Sequence, residues 1–363
     1  MSVTETGESE ALDPTRSPVA GHKDVSAHTP VPAVNPSPRR GAAPRASDSR
    51  SGVKLAKIGR AGDRTFLGVS AGSGALIVLL VVFVGVFLLV LALPSLLDNK
   101  ANFLTSQEWK VSGSELRFGI AGLLWTTVLS SVVAMAVAVP IAIGVALFIT
   151  QYAPRRVAGP LAFLVDLLAA VPSVVFGLWG IAVLGPRLVP VSEWLSTHLG
   201  FIPLFAPGIR SPGTVFVVAI VLAIMILPIV TAISRDVFMQ TPRDHMEAAL
   251  ALGATRWETI RTAVLPYGRS GVISASMLGL GRALGETIAV MIILSKPADN
   301  AGFVPSLFAG GETFASKIAN NAQEFDTPSK TGAYIASGLV LFIVTFAVNA
   351  VARVIAERGH AKS

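Results

Sequence analysis

Polar and apolar residues separate along this chain into long blocks. Met1 to about Arg64 is rich in Pro, Ser, Ala, Gly and Arg and nearly devoid of aromatic or branched apolar residues. Beyond it, apolar runs recur at Gly74–Leu97, Gly119–Ile149, Leu161–Leu184, Thr214–Ile233, Gly271–Leu294 and Ala333–Ala352. Each is roughly twenty residues or longer, enough for a helix to cross a hydrocarbon core of about 30 Å. The pattern predicts an all-α membrane protein with six transmembrane helices. Pro140, Pro172 and Pro228 interrupt three runs, which packed membrane helices accommodate better than water-exposed ones.

Composition agrees: 52% of the 363 residues are hydrophobic and only 14% charged, against about 25% charged in ordinary soluble domains. The absence of cysteine excludes disulfide frameworks, thiolate metal sites and cysteine nucleophiles. The first apolar block begins too far from Met1 for a cleaved signal peptide, so the reading is a retained span behind a disordered cytoplasmic tail.

A net charge of +7 is compatible with nucleic-acid binding or with the orientation of spans, and position decides between them. Of 29 Lys and Arg, 20 fall in the tail, the Gln151–Pro160 loop, the Ser234–Ser270 loop and the end after Ala352; 8 fall in the opposite loops, and Arg282 sits inside a run. The positive-inside rule then places both termini in the cytoplasm of a multi-pass cytoplasmic-membrane protein, with no call for nucleic acid. Lys54, Lys57, Arg60 and Arg64, spaced at three or four residues, predict a basic surface helix against anionic lipid. The expected organisation is a tail over 1–65, a first helix with outer loop over 66–118, a five-helix domain over 119–355 containing a cytoplasmic loop at 234–270, and a short end at 356–363.

That loop carries Glu247-Ala248-Ala249, Gly253, and Leu265-Pro266 before the fifth run. The spacing predicts a helix over Pro242–Ala251, a left-handed turn at Gly253 and a second short helix over Arg256–Val264. By spacing alone this is a two-helix knob or a surface connector. The pattern resembles the EAA signature of ABC importer permeases, with Ala263 where isoleucine is usual. The resemblance implies the ABC type I importer permease fold, and a loop that docks on an ATP-hydrolysing subunit through small Ala248 and Ala249 with Glu247 as the orienting charge. No GxxxxGK[ST] phosphate cradle occurs in the chain, so ATP belongs to a partner and no cofactor is expected on this chain.

Arg282 lies about eleven residues into the fifth run, near mid-membrane by helical rise, where arginine costs at least about 2.5 kcal/mol. Glu286, four residues on, is placed to pair with it structurally; the functional reading is an anion contact, since the guanidinium fork matches tetrahedral oxyanions and stays charged. Gly281 and Gly285 form a small-xxx-small pair suited to close helix packing. Leu284 at the third glycine position excludes a dinucleotide fingerprint. Ser173 beside Pro172 is a candidate for presenting polar groups to a pathway; Thr287, Thr126 and Thr127 either line it or bond their own helix carbonyls. The five histidines show no metal-ligand spacing, and Asp166 is read as an interfacial orientation residue.

LGRALGETIAV around Arg282, AAVPSVVFGLWG over Ala169–Gly180 and IMILPIVTAISRD over Ile224–Asp236 are similar to stretches of the PstC-type permeases of phosphate ABC importers. The resemblance spans roughly Gly119–Ala352. It implies partners: a homologous PstA-type permease, an ATPase subunit dimer, and an extracytoplasmic phosphate-binding protein, for which the acidic outer loop from Lys296 to Lys330 is one receiving surface and a solvated loop the other reading. It implies inorganic phosphate as cargo and Arg282, Glu286, Ser173 and Thr287 along its path, with Glu247, Ala248, Ala249, Gly253, Leu265 and Pro266 as the ATPase coupling site. Sulfate or molybdate permeases, secondary anion transporters and a structural membrane scaffold are the alternatives; the absence of a triad or metal pattern disfavours a membrane enzyme.

Overall fold

A computed structural model describes residues 60–112, 115–296 and 304–360. The expected disordered tail falls almost wholly outside these residues, as do Lys54 and Lys57. Arg60 and Arg64, however, belong to the first long helix, α1 (Arg60–Asp98), which starts well before Gly74. A two-stranded hairpin follows, β1 (Trp109–Lys110) and β2 (Arg117–Phe118), pairing Trp109 with Phe118. Then come α2 (Ala121–Leu147), α3 (Arg155–Ala169), α4 (Ser173–Trp179), α5 (Gly185–Leu199), α6 (Val215–Met239), α7 (Arg243–Ala251), α8 (Arg256–Thr259), α9 (Leu265–Gly285), α10 (Ile288–Ile293), α11 (Phe314–Asn320) and α12 (Pro328–His360). Apart from the hairpin, the described elements are helical.

Five described helical stretches are long and apolar enough to cross a membrane: Gly62–Asp98, Ala121–Tyr152, Ser173–Leu199, Val215–Met239 and Pro328–Val354. Two predicted runs come out differently. The third breaks at Ala170–Pro172, where Pro172 has extended backbone; a residue preceding proline is pushed out of the helical region and proline cannot donate to the turn before it. The apolar span is therefore Ser173–Leu199 instead of Leu161–Leu184, and α3 is a separate helix. Asp166 on α3 lies 3.5 Å from Arg235 near the end of α6, consistent with an interfacial position. The fifth run is divided into α9 and α10, and α9 is rich in Gly and Ser and carries Arg269 and Arg282.

The core is built around α6, the most buried of the spans (61% of its most apolar window, against 6% for α1). Ala134, Ala138, Ala142 and Ala146 of α2 repeat every four residues and are fully buried; their small side chains form one face of the helix, along which α6 and α9 pack. Val217, Val218, Val221, Leu222 and Ile226 fill the opposing face.

The loop from Lys296 to Lys330 is packed in part: Glu312 is largely covered, whereas Glu324 and Asp326 are exposed. Its described part, from Val304 to α11, packs over the start of α2, the start of α6 and the end of α10. Backbone bonds join Val215 N to Ala309 O (3.0 Å), Phe216 N to Leu307 O (2.7 Å) and Gly311 N to Ser295 O (3.0 Å), and Phe314 N donates to Thr127 Oγ1 (3.2 Å). Leu307, Phe308 and Phe314 are buried. Glu312, with a side chain 10% exposed, pairs with Lys317 at 2.8 Å, and the Lys317 ammonium stands 5.1 Å from the Trp109 ring. Asp299 lies outside the described residues.

Candidate functional site

Two places gather most of the residues that the sequence singles out. The first is the break between α9 and α10. Glu286 leaves the helix with extended backbone (φ −67°, ψ 125°), and Thr287 is irregular before α10 begins. The Glu286 side chain, 9% exposed, turns to accept a hydrogen bond from Ala289 N at 3.3 Å, supplying one of the partners that the open N-terminus of α10 needs. Thr287 Oγ1 donates to Gly285 O at 3.2 Å. The expected one-turn pair of Arg282 with Glu286 is thus not formed, because the helix ends between the two residues and the carboxylate is committed to the next helix.

Arg282 is exposed, in the last turn of α9. Among the described residues it makes no hydrogen bond or ion pair. It opens onto a cavity of about 590 Å³ lined by Ile229 of α6, Ser274, Met277, Leu278 and Gly281 of α9, and Asn349 of α12. Gly281 and Gly285 do not support a close helix crossing: a side-chain carbon built on either would meet nothing within 4 Å. Their small size leaves room beside Arg282 instead.

Ser173 belongs to the same level of the molecule. A Cβ on Gly177 would come within 2.9 Å of Ala289 Cα, and one on Gly180 within 2.8 Å of the Ile293 side chain, so α4 and α10 lie side by side and run in the same direction. Stepping back about one turn in each brings the start of α4 at Ser173 level with the Gly285–Glu286 break. Gly177 is obligatory here because any side chain would push α10 away. Ser173 is half-buried. Thr127 does bond its own helix, donating to Leu123 O (2.7 Å), while its oxygen also accepts from Phe314 N in the outer cap.

The second place is the loop after α6. α7 ends in a Schellman motif: Gly253 N donates to Leu250 O (2.9 Å) and Ala254 N to Ala249 O (3.1 Å), with Gly253 at φ 85° as the motif requires. Thr255 and Glu258 then form a capping box: Glu258 N donates to Thr255 Oγ1 (3.3 Å) and Thr255 N to Glu258 Oε2 (2.7 Å). The bond from Thr255 N, with a second from Thr255 Oγ1 to the same Glu258 Oε2 (2.9 Å), holds the Glu258 carboxyl below the usual carboxylate range. The predicted second short helix is not separate. α8 continues through a π turn over Ile260–Val264 into α9, so Leu265-Pro266 lies within one helical path. Leu265 N bonds Ile260 O at the turn's end, and Pro266 in the first turn of α9 has no N–H to place.

Glu247 and Ala248 are exposed and Ala249 half-exposed. Glu247 shares a groove of about 280 Å³ with Arg243, Arg256 and Gln151, and Leu252 and Trp257 stand out from the loop, 90% and 56% exposed. The sequence reading passed over Asn349 and Ser274. The signal for Asn349 was one carboxamide in an otherwise apolar final run; for Ser274, its position two turns before Arg282 on α9.

Comparison with known proteins gives the family of the chain. The family model for binding-protein-dependent transport system inner membrane components matches residues 138–359. The phosphate transport system permease protein PstC 2 of Mycobacterium tuberculosis is 55% identical over 301 residues, covering 82% of this chain and 92% of that protein. PstC of Mycobacterium leprae is 54% identical, covering 74% and 85%, and PstC of Xylella fastidiosa 38% identical, covering 71% and 79%. Among solved structures, the inward-facing MetNI methionine ABC transporter aligns with a TM-score of 0.48 at 13% identity, over 66% of this chain and 95% of that one. A family match reaching from the middle of α2 to the end of α12, and relatives more than half identical across most of both chains, show that this chain belongs to the binding-protein-dependent transport system inner membrane components, multi-pass permeases of the inner membrane, and within them to the PstC type.

Proposed function

We propose that this chain is the phosphate-translocating permease subunit of an ATP-driven importer. Identity of 54–55% to mycobacterial phosphate permeases across most of the chain carries the substrate assignment. The unpaired Arg282 facing a cavity in the membrane region supports it: a guanidinium left without a carboxylate partner is free to form parallel bonds to an oxyanion. Glu286, Thr287 and Ser173 frame the helix breaks beside it. In this reading the α9–α10 pair is a sixth crossing, broken where the anion passes, as transporter helices are where backbone lines a cavity. Both termini then lie in the cytoplasm, as the Lys/Arg distribution requires.

The loop from Glu247 to Pro266 is the coupling element for a separate ATPase dimer. Its Schellman turn and capping box make it a rigid, hydrogen-bonded shape, and its exposed apolar residues and groove offer a surface to a partner. ATP is bound and hydrolysed by that partner, and this chain holds no cofactor. A PstA-type permease and an extracytoplasmic phosphate-binding protein complete the complex, with lipid around α1 and no role for nucleic acid.

The test is ATP-dependent uptake of labelled phosphate by the assembled complex in membrane vesicles, with excess sulfate or molybdate as competitor. Uptake that requires ATP and is not displaced by either competitor is the expected result. Displacement by sulfate or molybdate would move the assignment to another oxyanion.

A further inference from the structure

The cavity before Arg282 has a second polar wall. Asn349 sits in α12, exposed, within the apolar stretch Val340–Val351, and among the described residues its carboxamide has no hydrogen-bond partner. Ser274 lies two turns before Arg282 on α9, about 12 Å along the helix, and the same cavity joins all three. A carboxamide turned to lipid would leave its donors and acceptor unpaired in hydrocarbon, which is costly; turned to this cavity it meets water or a polar solute. Ser274 Oγ gives its proton to Ser270 O at 3.0 Å, so it presents only lone pairs to the cavity.

We propose that Asn349, together with Ser274, forms a second and uncharged station for the oxyanion on the cytoplasmic side of Arg282, and that it selects oxyanions carrying a proton. The inference rests on the phosphate-import reading above. The Asn349 N–H groups donate to anionic oxygens. The Asn349 carbonyl and the Ser274 oxygen accept from a P–OH group, which hydrogen phosphate has and sulfate lacks. A site whose acceptors are satisfied only by a donor on the solute discriminates against the analogue without one. A neutral station also binds a dianion less tightly than Arg282 does, which favours passage toward the cytoplasm over retention.

The chain contains no cysteine, so single replacements report cleanly. Asn349→Cys and, as a second position, Ser274→Cys are made in the assembled complex and exposed in inside-out vesicles to a charged, water-soluble thiol reagent, with Phe346→Cys as control; Phe346 on the same helix is 65% exposed and apolar. The expected result is labelling at 349 and 274 that phosphate slows and sulfate does not, with little labelling at 346. Uptake by Asn349→Leu, in complexes shown to assemble, is expected to fall about tenfold, the scale of one hydrogen bond to a charged group. Labelling at 349 and 274 no faster than at 346, labelling indifferent to phosphate, equal protection by sulfate, or unchanged Asn349→Leu uptake would each overturn the proposal. Wild-type complex run in parallel separates the two readings: no phosphate uptake there defeats the substrate assignment itself, whereas normal wild-type uptake with unprotected cysteines defeats this station alone.

Discussion

Arg282 and Glu286 stand one helical turn apart in sequence, yet the backbone extends at Glu286 and sends the two side chains to different tasks. Arg282 faces the cavity, and Glu286 caps α10 through Ala289 N. The carboxylate oxygen, not the charge, makes that bond, so Glu286→Gln is expected to leave the thermal midpoint of the assembled complex unchanged. Glu286→Leu is expected to lower stability by about 1 kcal/mol, as for loss of a helix cap; equal midpoints for the two variants would remove the capping role. Gly253 is the other residue where backbone conformation decides. Nothing lies within 4 Å of a Cβ built there, so Gly253→Ala meets no clash and its cost is that of φ 85° alone, about 1 kcal/mol. Weaker retention of the ATPase on purification would report it, with Gly253→Asn closer to wild type.

Between residues and fold lie the elements, and here the sequence was legible to different depths. The Schellman turn was readable because its requirement is local: a glycine after an alanine-rich helix. The apolar runs were readable because burial in lipid needs nothing but length and composition. The breaks at Ala170–Pro172 and Glu286–Thr287 were not, since a proline or a polar pair inside an apolar run is equally compatible with a kinked continuous helix; only packing of α4 on α10 settles it. The merging of α8 with α9 escaped for a similar reason, as Leu265-Pro266 reads as a boundary until the π turn accommodates it. The capping box that starts α8 carries a pH signature. With Glu258 depressed by its bonds from Thr255, its contribution is complete above the ordinary glutamate value of about 4.3 and is lost as pH falls through the lower folded value. ATPase retention should therefore fall on acidification below about pH 4 more steeply in wild type than in Glu258→Gln, whose side-chain oxygen still accepts from Thr255 but which has no carboxyl to protonate.

For the molecule as a whole, the described part of the outer loop closes one end of the α2–α6–α10 group. The sequence could not show this, because Glu312 is buried against Lys317, whose ammonium in turn stands over Trp109 from the distant hairpin. Glu312→Ala leaves the Lys317 ammonium, 13% exposed, without its near partner. The expected loss is roughly 3 kcal/mol, the scale for stripping one member from a buried pair, read as a lower thermal midpoint. A loss confined to a few tenths of a kcal/mol, the scale of an exposed pair, would place the pair in solvent instead. Replacing both Glu312 and Lys317 by leucine should recover most of the stability, since no lone charge then stays buried.

The claim on which the rest depends is that the unpaired guanidinium of Arg282 is the anion contact of an importer. Its most direct test compares ATP-dependent uptake of labelled phosphate by wild type and Arg282→Ala after both are shown to assemble with the ATPase. Uptake is expected to collapse in the variant while assembly and basal ATP hydrolysis persist. Uptake by Arg282→Ala equal to wild type would contradict it and reduce Arg282 to a charge tolerated beside a water-filled cavity.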